Sequence, residues 1–359
     1  MTDIFSKLKS KYKKVNYSCE VCSSKKFDNI INYGRIAEPG QYGKLVIKSC
    51  KICGYKMLNP RFQKQFYIDY YNSIYRKIAF GDYSPSNTYL KQQVMRGTNV
   101  FNWFNKIINI KSGFMLDHGC ASGSTMVPWI KNGWNSCGID PHKPSVKLGK
   151  KNGLNIKLAS GESLPFDKNI FDVVLSLGSL EHSYDIKASI QEIKRVLKEK
   201  GFLIIRWRSD KLFGSPLEYY NHNHYRYFTD TSLEQILEKY GFIKYLQTNK
   251  KLETWESYKY TIFINEKKNK LNKLKNLKKI NELKILENYS IKYYKNCKKI
   301  VAYFDKDKKK FYENFLINKN FYFWKILGGN QKSALDRSIK EAKLFIKFYE
   351  EKKVIKSEA

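Results

Sequence analysis

Four cysteines stand in two Cys-x-x-Cys pairs, Cys19-Glu20-Val21-Cys22 and Cys50-Lys51-Ile52-Cys53-Gly54, with 27 residues between them. Two such knuckles present four thiolates to one tetrahedral ion, and Gly54 relieves crowding where backbone N–H groups face sulfur. All four positions are filled by sulfur, which points to structural rather than catalytic Zn2+. Coincidental cytosolic thiols are the alternative; a single redox pair would not explain the duplication. Cys120, Cys137 and Cys297 lack partner spacing and read as small packed side chains.

A second chemistry is written in Met115-Leu116-Asp117-His118-Gly119-Cys120-Ala121-Ser122-Gly123-Ser124, an apolar strand running into a small-residue turn that opens a helix. Gly119 and Gly123 leave room for a ligand against the backbone, and the helix N-terminus offers free N–H groups. On this motif alone the turn fits a nicotinamide dinucleotide as well as another adenosine cofactor, or a purely structural bend. Asp140 closes the next strand 23 residues after Asp117, where a carboxylate can accept both ribose hydroxyls. An ordinary strand-end turn before Pro141 is the alternative there.

Five histidines limit the choice of general base, since only a ring titrating near neutrality suits that task. His182 follows the fourth expected core strand. His222 and His224 lie in Tyr219-Tyr220-Asn221-His222-Asn223-His224-Tyr225-Arg226-Tyr227-Phe228-Thr229, a loop able to lean over an acceptor or, alternatively, to pack and cap the next helix. Arg206, Arg208 and Arg226 are candidates for an acidic substrate group, against the ordinary fate of solvation.

The elements that must position these residues alternate in type. Strands are expected at 113–117, 135–140, 154–158, 171–177 and 201–207, with helices near 123–131, 143–151 and 186–198, the pattern of a parallel sheet covered on both faces. A helix at 231–240 capped by Thr229 or Asp230 and ended by Gly241, then strands near 242–248 and 258–264, complete the sheet. Residues 87–110 form a lead-in helix with an apolar face.

Read in order, Asp117 to Gly123, Gly161-Glu162-Ser163-Leu164-Pro165-Phe166, Phe171-Asp172 and Leu180-Glu181-His182 resemble the class I S-adenosylmethionine-dependent methyltransferases over about residues 113–248. The resemblance implies a Rossmann-like, doubly wound, seven-stranded α/β sheet binding S-adenosyl-L-methionine. Asp117, Gly119, Ala121 and Gly123 would line its methionine end, Asp140 its ribose, and Glu162 its adenine with Leu164 nearby. Ala121 stands where the family usually has glycine, and His118 is an unusual neighbour for Asp117. A family histidine matches His182, and the stretch His224 to Thr229 matches a loop of many relatives. Residues 18–75 more loosely resemble the zinc-binding leader fused to many bacterial methyltransferases, whose acceptors are often sugars.

The expected organisation is a frayed basic lead (1–17), a zinc-ribbon-like module (18–75), a linker with the lead-in helix (76–112), the catalytic domain (113–265) and a mostly helical Lys-rich extension (266–359). The extension carries 26 Lys and Arg against 11 Asp and Glu. The formal charge of +34 suits an acidic partner, but the Lys, Asn, Ile and Tyr bias of an AT-rich genome produces such a charge as well. No apolar run approaches the ~18 residues of a membrane span, and the N-terminus lacks a signal-peptide core, so a cytoplasmic location is expected. The leading function is methylation of oxygen or carbon on a sugar or nucleotide-sugar in surface polysaccharide or secondary metabolism. An RNA methyltransferase using the basic surface, and a non-catalytic scaffold on a cofactor-type fold, are the alternatives.

Overall fold

The computed structural model describes residues 2–35, 42–73, 75, 85–208, 220–248, 252 and 258–266, so the Lys-rich extension expected beyond Glu266 lies outside the described residues, as does Cys297. The chain enters through α1 (Thr2–Lys11) and β1 (Lys14–Val15), continues through β2 (Phe27–Arg35), β3 (Tyr42–Cys50), β4 (Lys56–Leu58) and β5 (Arg61–Phe62), and reaches α2 (Lys64–Ser73). The lead is therefore not frayed. β1 pairs antiparallel with β5, Leu8 and Tyr12 pack on the aromatic cluster beneath α2, and the Tyr12 hydroxyl donates to Asp69. Tyr12 supplies both apolar area and a hydrogen bond to this contact.

Helix α3 (Asn87–Ile108) starts where Ser86 accepts from the Tyr89 N–H and stops at Asn109 in the left-handed conformation. The core follows as β6 (Phe114–His118), α4 (Val127–Lys131), β7 (Asn135–Asp140), α5 (Lys143–Lys151), β8 (Ile156–Leu158), β9 (Phe171–Leu177), α6 (Ile186–Val196) and β10 (Leu197–Arg208). After β11 (Arg226–Tyr227) come α7 (Asp230–Glu238), β12 (Phe242–Gln247) and β13 (Tyr258–Asn265). Thr229 caps α7 in a box with Ser232.

Seven strands make one sheet in the order β12-β13-β10-β9-β6-β7-β8. β6 to β10 run parallel, while β13 lies antiparallel to β10 and β12 to β13. The period-two alternation of side chains divides the core. Leu116, Val174, Leu203 and Ile205 face the cluster that holds α6 and α7. Met115, Val173, Leu175 and Ile204 face the one that holds α3 and α4. The sheet is thus doubly wound, and the chain changes direction at β6, which has β7 on one side and β9 on the other. A crevice opens at the carboxyl ends of the strands at such a switch point.

A second sheet, ordered β11-β4-β3-β2, joins the two halves of the chain: Arg226 and Tyr227 pair with Met57 and Lys56. The cysteine module therefore includes a strand from the loop after β10.

Candidate active site

A cavity of about 570 Å³ opens at this switch point, within the range of small-molecule sites. Its floor comes from the ends of β6, β7 and β9 and carries Asp117, Gly119, Ala121 and Asp140; Glu162 and His182 stand on its walls. Gly123, Leu164, His222 and His224 are not among the residues that line it. Leu164 is buried in the core, and Gly123 faces Ile156 and Met126, whose side chains would lie 2.7 and 2.8 Å from a Cβ.

Gly119 meets a harder constraint. Its φ is +80° and a Cβ would come 2.5 Å from that of Ser179, so only glycine keeps the floor open. Ala121 takes φ +51°, the left-handed region that makes glycine usual there, and its N–H donates to Asp140 Oδ2 at 2.8 Å. Asp140 Oδ1 accepts from the His142 N–H at 2.8 Å, so one carboxylate fixes both turns beside the floor. The unusual His118 has a clear position: its Nε2 donates to the Gly161 carbonyl at 3.2 Å, and its Nδ1 lies 3.1 Å from Ser179 Oγ. Burial lowers its pKa and keeps it neutral. The ring thus ties the loops after β8 and β9 to the end of β6.

Asp117 is 2% exposed. Burial pushes its carboxyl up to about 7, with Asp140 adding to the rise, while the Thr125 hydroxyl that donates to it and Arg96 act the other way. A bound ammonium would relieve that burial. Arg96, carried by α3 and lining the cavity, offers a guanidinium to a carboxylate in the same compartment. Sequence reasoning missed Arg96 because α3 read as an amphipathic lead-in; one and two turns before the buried Val100 and Phe104, it carried no ligand signal. Glu162 is paired with Lys64 of α2 at 2.5 Å and accepts from the Asp185 N–H at 2.9 Å.

The other half of the cavity is aromatic. Tyr67, Tyr71, Tyr75, Tyr184 and Tyr225 line it with His182. His182 Nδ1 lies 2.9 Å from the Asn223 carbonyl oxygen and 2.8 Å from the Tyr71 hydroxyl, and burial lowers its pKa. His224 packs behind it, ring centroids 4.6 Å apart, and His222 packs edge-on to Tyr70. The loop after β10 therefore presents Tyr225, not its two histidines, to the cavity. Arg226 is also withdrawn: it is 1% exposed and grips Glu20 with Nε and Nη2 at 2.7 and 2.6 Å. Arg61 and the Tyr55 hydroxyl complete the contact at 3.0 and 2.8 Å. Burial raises the Glu20 carboxyl, but Arg226 and Arg61 outweigh it and hold the group at about 2. Arg226 also donates to the carbonyls of Ser183 and Tyr184. A residue between two cysteines is thereby linked to the segment carrying His182.

The four cysteines meet in space. Sγ of Cys19 lies 3.5 Å from that of Cys53, and Cys22 Sγ 3.5 Å from Cys50 Sγ. A tetrahedral ion with sulfur at about 2.3 Å sets them about 3.8 Å apart, whereas a disulfide needs about 2.05 Å. N–H groups of Val21 and Cys22 face Cys19, and those of Ile52 and Cys53 face Cys50, as a thiolate requires. Gly54 ends the second knuckle at φ +71° and Ser23 the first at +62°. The set of four thiolates thus fits Zn2+. Cys120 and Cys137 are buried in the core.

The sequence family described as a methyltransferase domain matches residues 116–205. The ubiquinone biosynthesis O-methyltransferase of Pelagibacter ubique is 34% identical over 123 residues, 33% of this chain and 50% of that protein. The protein of the same name from Rickettsia prowazekii is 30% identical over 185 residues, 44% of this chain and 73% of that protein. The chain belongs to the S-adenosylmethionine-dependent methyltransferases. The chain spans about half the length of the first curated relative it matches. A solved structure of the 1,6-didemethyltoxoflavin-N1-methyltransferase from Burkholderia thailandensis, with bound 1,6-didemethyltoxoflavin and S-adenosylhomocysteine, overlaps at a TM-score of 0.40 with 16% identity, over 51% of this chain and 82% of that one. The matched family segment contains the cavity floor but neither α2, the loop 220–229 nor the cysteine knuckles. Tyr67, Tyr71, Tyr75 and Tyr225 of the aromatic half thus lie outside that segment, while His182 and Tyr184 lie within it. Among the described residues no helix is long and apolar enough to cross a membrane.

Proposed function

We propose that this protein transfers the methyl group of S-adenosylmethionine to an oxygen of a small acceptor held against the tyrosines beside His182. One observation carries the reading: a single cavity joins a floor of Asp117, Gly119, Ala121 and Asp140 to an aromatic end containing His182. Asp117 and Arg96 would complement the ammonium and carboxylate of the methionine end, and Asp140 and Glu162 would offer carboxylate oxygens to the ribose hydroxyls and the adenine amine. The sulfonium methyl is the activated group the cofactor supplies when bound, so the chain has to align the acceptor and exclude water. His182, with Nδ1 facing a carbonyl and a ring kept neutral by burial, leaves Nε2 able to accept the acceptor's hydroxyl proton. His222 and His224 support the loop that carries Tyr225. A Zn2+ ion on Cys19, Cys22, Cys50 and Cys53 serves as structure.

For the acceptor, the tyrosine faces and the zinc-bearing leader support a sugar or nucleotide-sugar. The predominantly apolar lining favours a second reading, a phenolic ring. Methyl transfer from labelled S-adenosylmethionine to panels of nucleotide-sugars and hydroxylated phenols tests both. Transfer to a sugar hydroxyl supports the first and transfer to a phenol the second. Transfer only to structured RNA, with steeply salt-dependent affinity, would overturn both, and failure to bind the cofactor would leave a scaffold.

A further inference from the structure

Glu181 lies in the single turn Leu180–His182 after β9 and is 5% exposed, yet its Oε2 has no hydrogen-bond partner. Among the described residues no Lys or Arg forms an ion pair with it. A buried carboxylate left without a partner is strongly disfavoured unless it takes a proton or a cation. The neighbouring cations are committed elsewhere: Arg226 to Glu20, Arg208 to the Tyr258 hydroxyl at 2.6 Å, and Arg206 to the face of the Tyr258 ring.

One ligand atom each from Glu181, His182 and His224 lie within 4.8 Å of one another. An ion bound at about 2.1 Å in tetrahedral geometry places its ligands about 3.4 Å apart, a contraction that side-chain rotations supply. His182 is already oriented for the task. Its Nδ1 faces two oxygens, the Asn223 carbonyl and the Tyr71 hydroxyl, and so carries the proton, which leaves the Nε2 lone pair for an ion in the arrangement common to metal-bound histidines. The Tyr225 N–H donates to the Glu181 carbonyl at 3.0 Å, which fastens the loop bearing His224 against the turn bearing the other two.

The geometry points to a second metal site, a divalent transition ion held by Glu181, His182 and His224 just behind the acceptor end of the cavity, which His182 alone of the three lines. Two imidazoles and one carboxylate suit Zn2+, Fe2+ or Co2+ better than Mg2+ or Ca2+, which take mainly oxygen. Three protein ligands leave a position open, the mark of a working rather than a structural ion, and His182 faces the cavity. The use of this ion rests on the methyl-transfer reading above, and there it takes the place of His182 as base. The acceptor hydroxyl binds the ion and releases its proton to water; its oxygen then bonds to the methyl carbon as the carbon–sulfur bond breaks, the electron pair staying on sulfur as S-adenosylhomocysteine.

The test uses the full chain with its thiolate site first saturated with Zn2+, and titrates Co2+ while recording visible absorption. The expected result is one further equivalent with weak ligand-field bands and no thiolate charge-transfer band, weakened at least tenfold in Glu181→Gln and in His224→Ala. Binding of S-adenosylhomocysteine by these variants shows that they are folded. A wild-type chain that takes up no further equivalent, or variants that bind Co2+ as tightly as it does, overturns the site and leaves His182 as the base. Co2+ uptake without any binding of S-adenosylhomocysteine would instead uphold the site and overturn the methyl-transfer reading.

Discussion

Replacing Asp117 with asparagine should stabilise the unliganded protein by more than it stabilises the liganded one. The carboxyl, 2% exposed, is raised by burial from 3.8 to about 7. A rise of about three on the pH scale, at about 1.4 kcal/mol each, is about 4 kcal/mol. Because the folded-state value is raised, the folded chain holds the proton more tightly than the unfolded one. The penalty is absent below about pH 4, grows between about 4 and 7, and is complete above 7. An amide keeps an oxygen to accept from Thr125 and carries no charge, so Asp117→Asn should gain up to about 4 kcal/mol over wild type at pH 8 and nothing at pH 4. The variant also loses the charge opposite the cofactor's ammonium, a contact of about 1.5–3 kcal/mol, so S-adenosylhomocysteine should bind about 10- to 100-fold more weakly. Wild-type affinity should itself fall as pH drops through 7. Denaturant unfolding of both proteins from pH 4 to 8, with and without S-adenosylhomocysteine, measures every quantity. A variant less stable than wild type at pH 8, or bound as tightly, refutes the reasoning.

Three other outcomes follow from the same contacts. Ala121→Gly relieves a left-handed alanine at about 1–2 kcal/mol against about 0.5–1 kcal/mol of added chain entropy, so denaturant unfolding should show a net gain of about 0.5 kcal/mol with cofactor affinity unchanged. Glu20→Gln leaves Arg61 and Arg226 buried without their counter-charge and should cost about 3–5 kcal/mol. With Glu20 held at about 2, its wild-type contribution is present above about pH 4.5 and lost as pH falls towards 2, a dependence that acid titration of the variant should lack. Metal analysis should find one Zn2+ in the four-thiolate site, and its removal by a chelator should lower the melting temperature and abolish acceptor binding through β4 and β11, whereas an unchanged melting temperature would argue against the thiolate site.

The sheet was legible because its strands and helices are periodic and because β6 and β9 each end in motifs tied to the strand by one or two residues. The floor of the site followed from the same local pattern, as Asp117, Gly119 and Asp140 all sit at strand ends. The acceptor half was not legible for a physical reason. Glu20 and Arg226 are 206 residues apart, and neither the knuckle nor the loop shows by its own pattern that it will supply half of a buried ion pair. Arg226 therefore read as a substrate contact. The tyrosines of α2 read as part of a metal-binding leader, yet they fold over the cavity because β11 joins the leader's sheet. In the loop from Tyr220 to Thr229, His224 stood out by residue type, while burial places Tyr225 at the cavity and turns the histidines inward.

The central claim is that one cavity, floored by Asp117, Gly119 and Asp140, receives S-adenosylmethionine. Calorimetric titration of the full chain with S-adenosylhomocysteine, repeated on Gly119→Ala, tests it most directly. Saturable binding at one site per chain in the wild type and its loss in the variant, whose Cβ would strike Ser179, is the predicted result; no binding to the wild type, or equal binding to both, would contradict it.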